Sequence, residues 1–233
     1  METRRECTNW EIMRYRRALV FGASGGIGSA LVEALDADEV VGLSRSAGDF
    51  DLIDEGSIAK AAKRFSEPFD LILDATGALE IDGVGPEKSI QSIDPQNMAR
   101  QFALNAIGPA LIFKHFWRLL PRENRSIMAS LSARVGSIGD NNLGGWISYR
   151  ASKAALNQVV KTTSIELKRT RAQTICVALH PGTIRTPLTE KYVGNHPAVS
   201  PEEGAQNILS VLDGLEGKDT GKFLDWAGKT IQW

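Results

Sequence analysis

Phe21-Gly22-Ala23-Ser24-Gly25-Gly26-Ile27-Gly28 follows the apolar run Ala18 to Phe21 and opens the helical pattern Ile27 to Leu35. A strand passing through clustered glycines into a helix has the form of the phosphate-cradling turn of a dinucleotide-binding domain. The glycines fall at G-x-x-x-G-x-G. Gly22 ends the strand in a tight turn, Gly26 lets the backbone approach a pyrophosphate, and Gly28 allows close helix packing. The helix N-terminus then offers N–H groups and the positive end of its dipole to the phosphates. The spacing is not G-x-G-x-x-G, since Leu31 stands where the last glycine would fall, and no Gly-Lys pair makes it a phosphate loop of the G-x-x-x-x-G-K type.

Outward from this turn, strands and helices alternate. Apolar, β-branched runs occur at Ala18 to Phe21, Val40 to Leu43, Leu71 to Leu73, Ser126 to Leu131 and Thr174 to Leu179, with a last short one at Lys222 to Leu224. Helical patterns lie between them at Ser57 to Phe65, Pro95 to Leu120 and Tyr149 to Arg169, and another follows Ser200, an N-cap residue ahead of Pro201. The alternation predicts an α/β fold: one doubly wound Rossmann-type domain, with a central parallel sheet of about seven strands and helices on both faces. A chain of 233 residues accommodates a single core of this kind. Residues 17–233 form the predicted catalytic domain. Residues 1–16, with five arginines and three glutamates in Met1 to Arg17 and no hydrophobic period, read as a mobile N-terminal extension; the chain's natural start is expected at Met13, with Met1 to Ile12 outside the core, against the competing reading of Trp10 and Ile12 as an arm packed on the domain.

Charge and composition exclude several classes. A net charge of −1 without a concentrated basic stripe argues against nucleic acid. Cys7 and Cys176 make no disulfide framework, which points to a reducing, cytoplasmic setting. His115, His180 and His196 lack partners at metal-ligand spacing, so no metal site is expected. Arg16-Arg17 ahead of the uncharged stretch Ala18 to Val32 resembles a twin-arginine signal, yet its cleavage would delete the glycine turn. No segment approaches the roughly 20 apolar residues of a membrane span.

Chemistry enters at Tyr149-Arg150-Ala151-Ser152-Lys153. Residues i and i+4 share one helix face, so this spacing sets a phenol beside an ammonium. A tyrosine with a pKa of about 10 is a poor acid-base catalyst at neutral pH, and a neighbouring positive charge favours its ionised form.

Taken together, the chain resembles the short-chain dehydrogenase/reductase family, from about Arg17 to the C-terminus. After Gly22, Gly26 and Gly28, Asp51-Leu52-Ile53 resembles the family's acidic adenine-contacting segment, and Asp74-Ala75-Thr76-Gly77 stands where the family has Asn-Asn-Ala-Gly. Asn105-Ala106-Ile107-Gly108 matches the central-helix asparagine, Ser132 precedes Tyr149 and Lys153, and His180-Pro181-Gly182-Thr183-Ile184-Arg185-Thr186 resembles the segment that holds the nicotinamide carboxamide. Leu131 to Ile138 and Asp225-Trp226-Ala227-Gly228 look most like the C-factor-like and carbonyl-reductase branch.

The resemblance implies that Tyr149 exchanges a proton with the substrate oxygen, that Lys153 depresses the tyrosine pKa and holds the nicotinamide ribose, that Ser132 hydrogen-bonds the substrate oxygen, and that Asn105 anchors a water in a proton relay. Ser132 lies four residues before Gly136 where the commoner spacing is three, so Ala133 takes the usual slot and Ser130 and Ser137 remain alternatives. It also implies a dinucleotide site of Gly22, Ser24, Gly26, Ile27, Gly28, Ser44, Arg45, Asp51, Ala75, Gly77, Tyr149, Lys153, Pro181, Gly182, Ile184 and Thr186. At Leu43-Ser44-Arg45 a hydroxyl and a guanidinium replace the carboxylate expected of an NAD enzyme, which favours NADP over NAD. The reading is an NADP-dependent oxidoreductase of small or medium carbonyl or alcohol substrates, with Trp146 on the pocket wall. Association with further copies of the chain stays open. So does the alternative of a non-catalytic dinucleotide-binding regulator or C-factor-like signalling protein on the same fold.

Overall fold

The structure, a computed structural model, describes residues 14–48, 50–186, 189, 191 and 198–233. Among them the chain runs β1 (Tyr15–Phe21), α1 (Gly26–Ala34), β2 (Ala37–Leu43), α2 (Glu55–Ala62), β3 (Leu71–Asp74), α3 (Pro95–Phe102), α4 (Gly108–Phe116), β4 (Ser126–Leu131), α5 (Ile147–Thr170), β5 (Thr174–His180), α6 (Pro201–Asp213) and β6 (Phe223–Asp225). The strands form one parallel sheet in the order β2-β1-β3-β4-β5-β6. The chain leaves β1 toward β2 and later returns to β3 on the other side of β1. The crevice at this reversal, beyond the C-terminal strand ends, is where doubly wound sheets bind ligands.

β3 and β4 are buried at every residue because helices cover both faces, which is why they read as unbroken apolar runs. On one face Leu19, Phe21, Ile72, Met128 and Cys176 pack with Ile58 of α2, Ile112 and Phe116 of α4, and Leu156 and Val160 of α5. On the other, Val20, Leu73, Ala129 and Val177 meet Leu31 of α1 and Ala205, Ile208 and Leu212 of α6. Each fully buried aliphatic or aromatic side chain contributes about 1.5–3 kcal/mol. The caps follow the sequence: Asp54 accepts from Gly56 N, Asp94 from Asn97 N, and Ser200 from Glu203 N.

Six strands appear among the described residues where about seven were expected. The missing one would lie beyond β2, but residues 45–48 and 52–53 make turns, with Ala47 N donating to Ser44 Oγ, Gly48 N to Arg45 O and Asp54 N to Asp51 O. Asp51-Leu52-Ile53 therefore leads straight into α2, and β2 becomes the sheet edge. Asp38 and Glu39 on that edge pair with Arg14 and Arg17 at 2.7 and 2.6 Å, a charged border that discourages pairing with another strand. The expected core boundary at Arg17 also moves. Tyr15 opens β1, is buried, and donates its hydroxyl to Asp213 Oδ1 at 3.2 Å. Residues 1–13 of the proposed extension, with Cys7, Trp10, Ile12 and Met13, lie outside the described residues, as does His196.

The helix expected from Pro95 to Leu120 follows one path but changes winding. Ala103–Ile107 is a π turn in which Gly108 N reaches back to Ala103 O, and Trp117–Leu119 is a 3₁₀ turn. Single π turns in α-helices are frequent at functional sites, and this one carries Asn105.

Candidate active site

The glycine turn is built by contacts that tolerate no side chain. Gly22 has φ +77, and a Cβ there would lie 2.8 Å from Ala75 O, while one on Gly28 would lie 2.0 Å from Gly22 O. β1 and β3 therefore end against each other, and α1 starts on the turn itself. At the start of α1, Gly25 supplies no capping side chain and the first turn holds no acid, so its N–H groups are open to a phosphate. A Cβ on Gly26 would strike the Thr186 methyl at 2.7 Å. The segment after β5 thus folds back over the glycine turn, anchored by Ile184, which pairs with Val199 and packs onto Gly204. Gly182, at φ +80, lies against the Trp226 indole. Ser24 and Arg45 are exposed, Ile27, Ala75 and Pro181 half-buried. The donor set, helix N-terminus and close-approach glycines fit a dinucleotide.

A second convergence lies beside it. Gly77, at φ +140, has its missing Cβ 3.0 Å from Asn105 Oδ1 and 3.1 Å from Lys153 Nζ. Asn105 Oδ1 accepts from Ala78 N at 2.9 Å, and its Nδ2 donates to Ala78 O at 2.8 Å and to Gln101 Oε1 at 2.7 Å. This buried amide locks the Gly77-Ala78 loop. Lys153 Nζ donates to Leu131 O at 3.1 Å. Burial lowers its pKa to about 8, and Asp74 pulls it back upward. Asp74, fully buried at the end of β3, accepts from Ser130 Oγ at 2.6 Å and from Thr76 N and Oγ1 at 3.0 and 2.5 Å. Burial raises its carboxyl pKa while those hydrogen bonds oppose the rise.

Tyr149 lines a cleft of about 820 Å³ whose wall includes Leu79, Ala133, Asn142, Trp146, His180 and Thr183. Trp146 is on the wall, as expected, and meets the phenol ring edge-on with centroids 6.3 Å apart. Two expectations are corrected here. The phenol pKa does not fall as expected: burial pushes it up to about 12. Ser132 is not on the wall: its hydroxyl donates to Asn157 Oδ1 at 2.6 Å, and Asn157 Nδ2 donates to Gly136 O at 3.2 Å. Ala133, the residue at the commoner family spacing, lines the cleft instead. The alternatives are also engaged elsewhere, Ser130 with Asp74 and Ser137 with Gln232 O.

Supporting residues that the sequence reading missed join distant segments. Glu87 O accepts from Trp146 N at 2.6 Å, and Glu87 Oε1 accepts from Ser148 N at 2.9 Å and from Ser148 Oγ. This carboxylate caps the N-terminus of α5 directly before Tyr149. Gly144, Gly145 and Trp146 have φ of +65, +65 and +53, a left-handed run braced by Arg150 donating to Gly145 O at 2.9 Å, Gly144 O at 3.1 Å and Val135 O at 3.3 Å. Arg134 bridges Asp140 and Asp225 at 3.1 and 3.2 Å. His180 has its pKa lowered to about 4 by burial and then by Arg134, and is neutral at pH 7. The glycine pair Gly144-Gly145 before the tyrosine was the visible signal for the loop; nothing local marks Glu87. Among the described residues no helix is long and apolar enough to cross a membrane, and no cluster of three metal-ligating side chains occurs.

Comparison with known proteins agrees with this geometry. A family model described as enoyl-(acyl carrier protein) reductase matches residues 22–210. The 1-hydroxy-2-glutathionyl-2-methyl-3-butene dehydrogenase of Rhodococcus sp. (strain AD45) is 31% identical over 186 residues, covering 78% of each chain. The C-signal protein of Myxococcus xanthus is 33% identical over 146 residues, 62% of this chain and 84% of that one. The NADPH-bound carbonyl reductase from chicken fatty liver superposes with a TM-score of 0.80 at 26% identity, covering 95% of this chain and all of that one. The chain belongs to the short-chain dehydrogenase/reductase family of NAD(P)-dependent oxidoreductases.

Proposed function

We propose that this protein is an NADP-dependent carbonyl reductase in which Tyr149 gives its proton to the substrate oxygen. The observation that carries the reading is the shared neighbourhood of a glycine-built dinucleotide cradle, a buried Lys153 and a cleft lined by Tyr149. A bound nicotinamide supplies or takes the hydride. The chain's own residues do the rest. With its pKa raised to about 12 by burial, Tyr149 holds its proton at pH 7 and is in the protonation state a donor to a carbonyl needs. Lys153, near 8, lies within reach of neutrality and is the residue to return that proton, besides holding the ribose. Trp146 and Leu79 present apolar surface that keeps water from the reacting oxygen.

NADP in preference to NAD is supported by Arg45. It stands exposed just past β2 and makes no ion pair among the described residues, and Gly22 N and Ala23 N bind Leu43 O two residues before it. A guanidinium beside the glycine turn matches a ribose 2′-phosphate. A role in binding alone gives no reason for a tyrosine on the wall of a large cleft next to a buried lysine. The test is NADPH oxidation against a panel of aldehydes and ketones, run with wild type and Tyr149→Phe. Turnover should fall by about 10²–10⁴-fold in the variant while NADPH affinity stays within a few-fold. Full turnover in the variant would remove Tyr149 as the acid.

A further inference from the structure

Far from Tyr149, at the opposite end of the sheet, lies a second cavity of about 620 Å³. It is formed where the loop after α4 enters β4 and the loop after α5 enters β5, and three arginines line it: Arg118, Arg122 and Arg171. Arg171 is buried, with Nε donating to Leu120 O at 3.0 Å and Nη2 to Arg118 O at 3.2 Å. Its guanidinium lies 4.5 Å from the centroid of Trp117, and Arg118 lies 5.6 Å from the same ring. One indole thus holds two cations in place.

No carboxylate pairs with any of the three among the described residues. Glu123 and Glu166, the nearest acids in sequence, and Glu67, between the lining residues Ser66 and Pro68, make no ion pair with them, whereas Arg14, Arg16, Arg17, Arg100 and Arg134 all do pair with acids. Carbonyl oxygens satisfy the hydrogen bonds of Arg171 at the end of α5 but neutralise no charge, and that capping role does not account for Arg118 or Arg122. Gathering three like charges around a concavity costs free energy that a bound anion recovers. Burial, then Arg122 and Arg118, also lower the Arg171 pKa, as expected of a positive field without a counter-charge.

We infer that this cavity is an anion site for a phosphate-bearing small molecule, distinct from the dinucleotide cradle. Guanidinium forks match phosphate oxygens bidentately, and a multiply charged phosphate answers several arginines at once, as a single carboxylate does not. The inference does not depend on the hydride-transfer reading.

The test is titration calorimetry of the whole protein with tripolyphosphate, inorganic phosphate and acetate, with NADPH present in excess to fill the cradle. Binding is expected in the order tripolyphosphate, phosphate, acetate. Arg118→Gln/Arg122→Gln should weaken tripolyphosphate at least tenfold, with carbonyl turnover unchanged and the melting temperature not lowered; both side chains are exposed, so the fold does not rest on them. Arg45→Gln should leave that binding intact. Equal affinity in the double variant, loss in Arg45→Gln instead, acetate binding as well as phosphate, or no heat at millimolar tripolyphosphate would each overturn the inference.

Discussion

Replacing Lys153 by methionine separates the cost of burying an ammonium from everything else in the site. Lys153 is 3% exposed, and burial takes its pKa from 10.5 to about 8. At about 1.36 kcal/mol per tenfold change in proton affinity, the native state bears about 3 kcal/mol of penalty wherever the group is charged in both states. Below pH 8 both folded and unfolded chains hold the proton and the penalty is complete. Between pH 8 and 10.5 the unfolded chain binds more protons than the folded one, so stability rises with pH through that window. Methionine has nearly the same length and no charge, so Lys153→Met should lack this rise. Constant terms, including the lost bond to Leu131 O, cancel when the pH dependences are compared. The opposite trend of Tyr149, whose raised pKa removes stability above pH 10, also cancels because both proteins share it. Urea midpoints of wild type and variant, without nucleotide, at pH 7 and pH 10 provide the assay. Wild type should gain most of the 3 kcal/mol relative to the variant. Parallel pH curves would refute a buried, strained ammonium and the proton-return role built on it.

Three further outcomes follow from the site. Arg45→Asp should shift the ratio of NADPH to NADH affinity toward NADH by about 1–3 kcal/mol, measured by calorimetry; an unchanged ratio removes Arg45 from the 2′-phosphate. Ala133→Ser adds a hydroxyl to the cleft wall that Ser132 does not provide, so kcat/KM on the best carbonyl should rise up to about tenfold, the worth of one hydrogen bond, with NADPH affinity unchanged. Glu87→Ala strands Ser148 N and uncaps α5, so the protein should lose about 1–3 kcal/mol, a melting drop of several degrees, and kcat should fall more than nucleotide affinity. An equal loss of both would mean that Glu87 supports the fold without aiming Tyr149.

What the sequence by itself determined was chemistry with a short range along the chain. The turn from Gly22 to Gly28, the strand runs and the i, i+4 pairing of Tyr149 with Lys153 are legible because backbone sterics and helix periodicity act over a few residues. The helix from Pro95 was legible too, but its π turn at Asn105 was not, since no local signal distinguishes 3.6 from wider winding. Tertiary structure decided the rest, because burial and pairing belong to segments distant in sequence. It sent the Ser132 hydroxyl to Asn157 on α5, left Ala133 on the wall, and brought Glu87 across 61 residues to cap the helix of Tyr149. It also set the sign of the tyrosine shift. Adjacency to Lys153 predicts a fall, whereas desolvation of the phenol raises it, and burial has no counterpart in the spacing of letters along the chain.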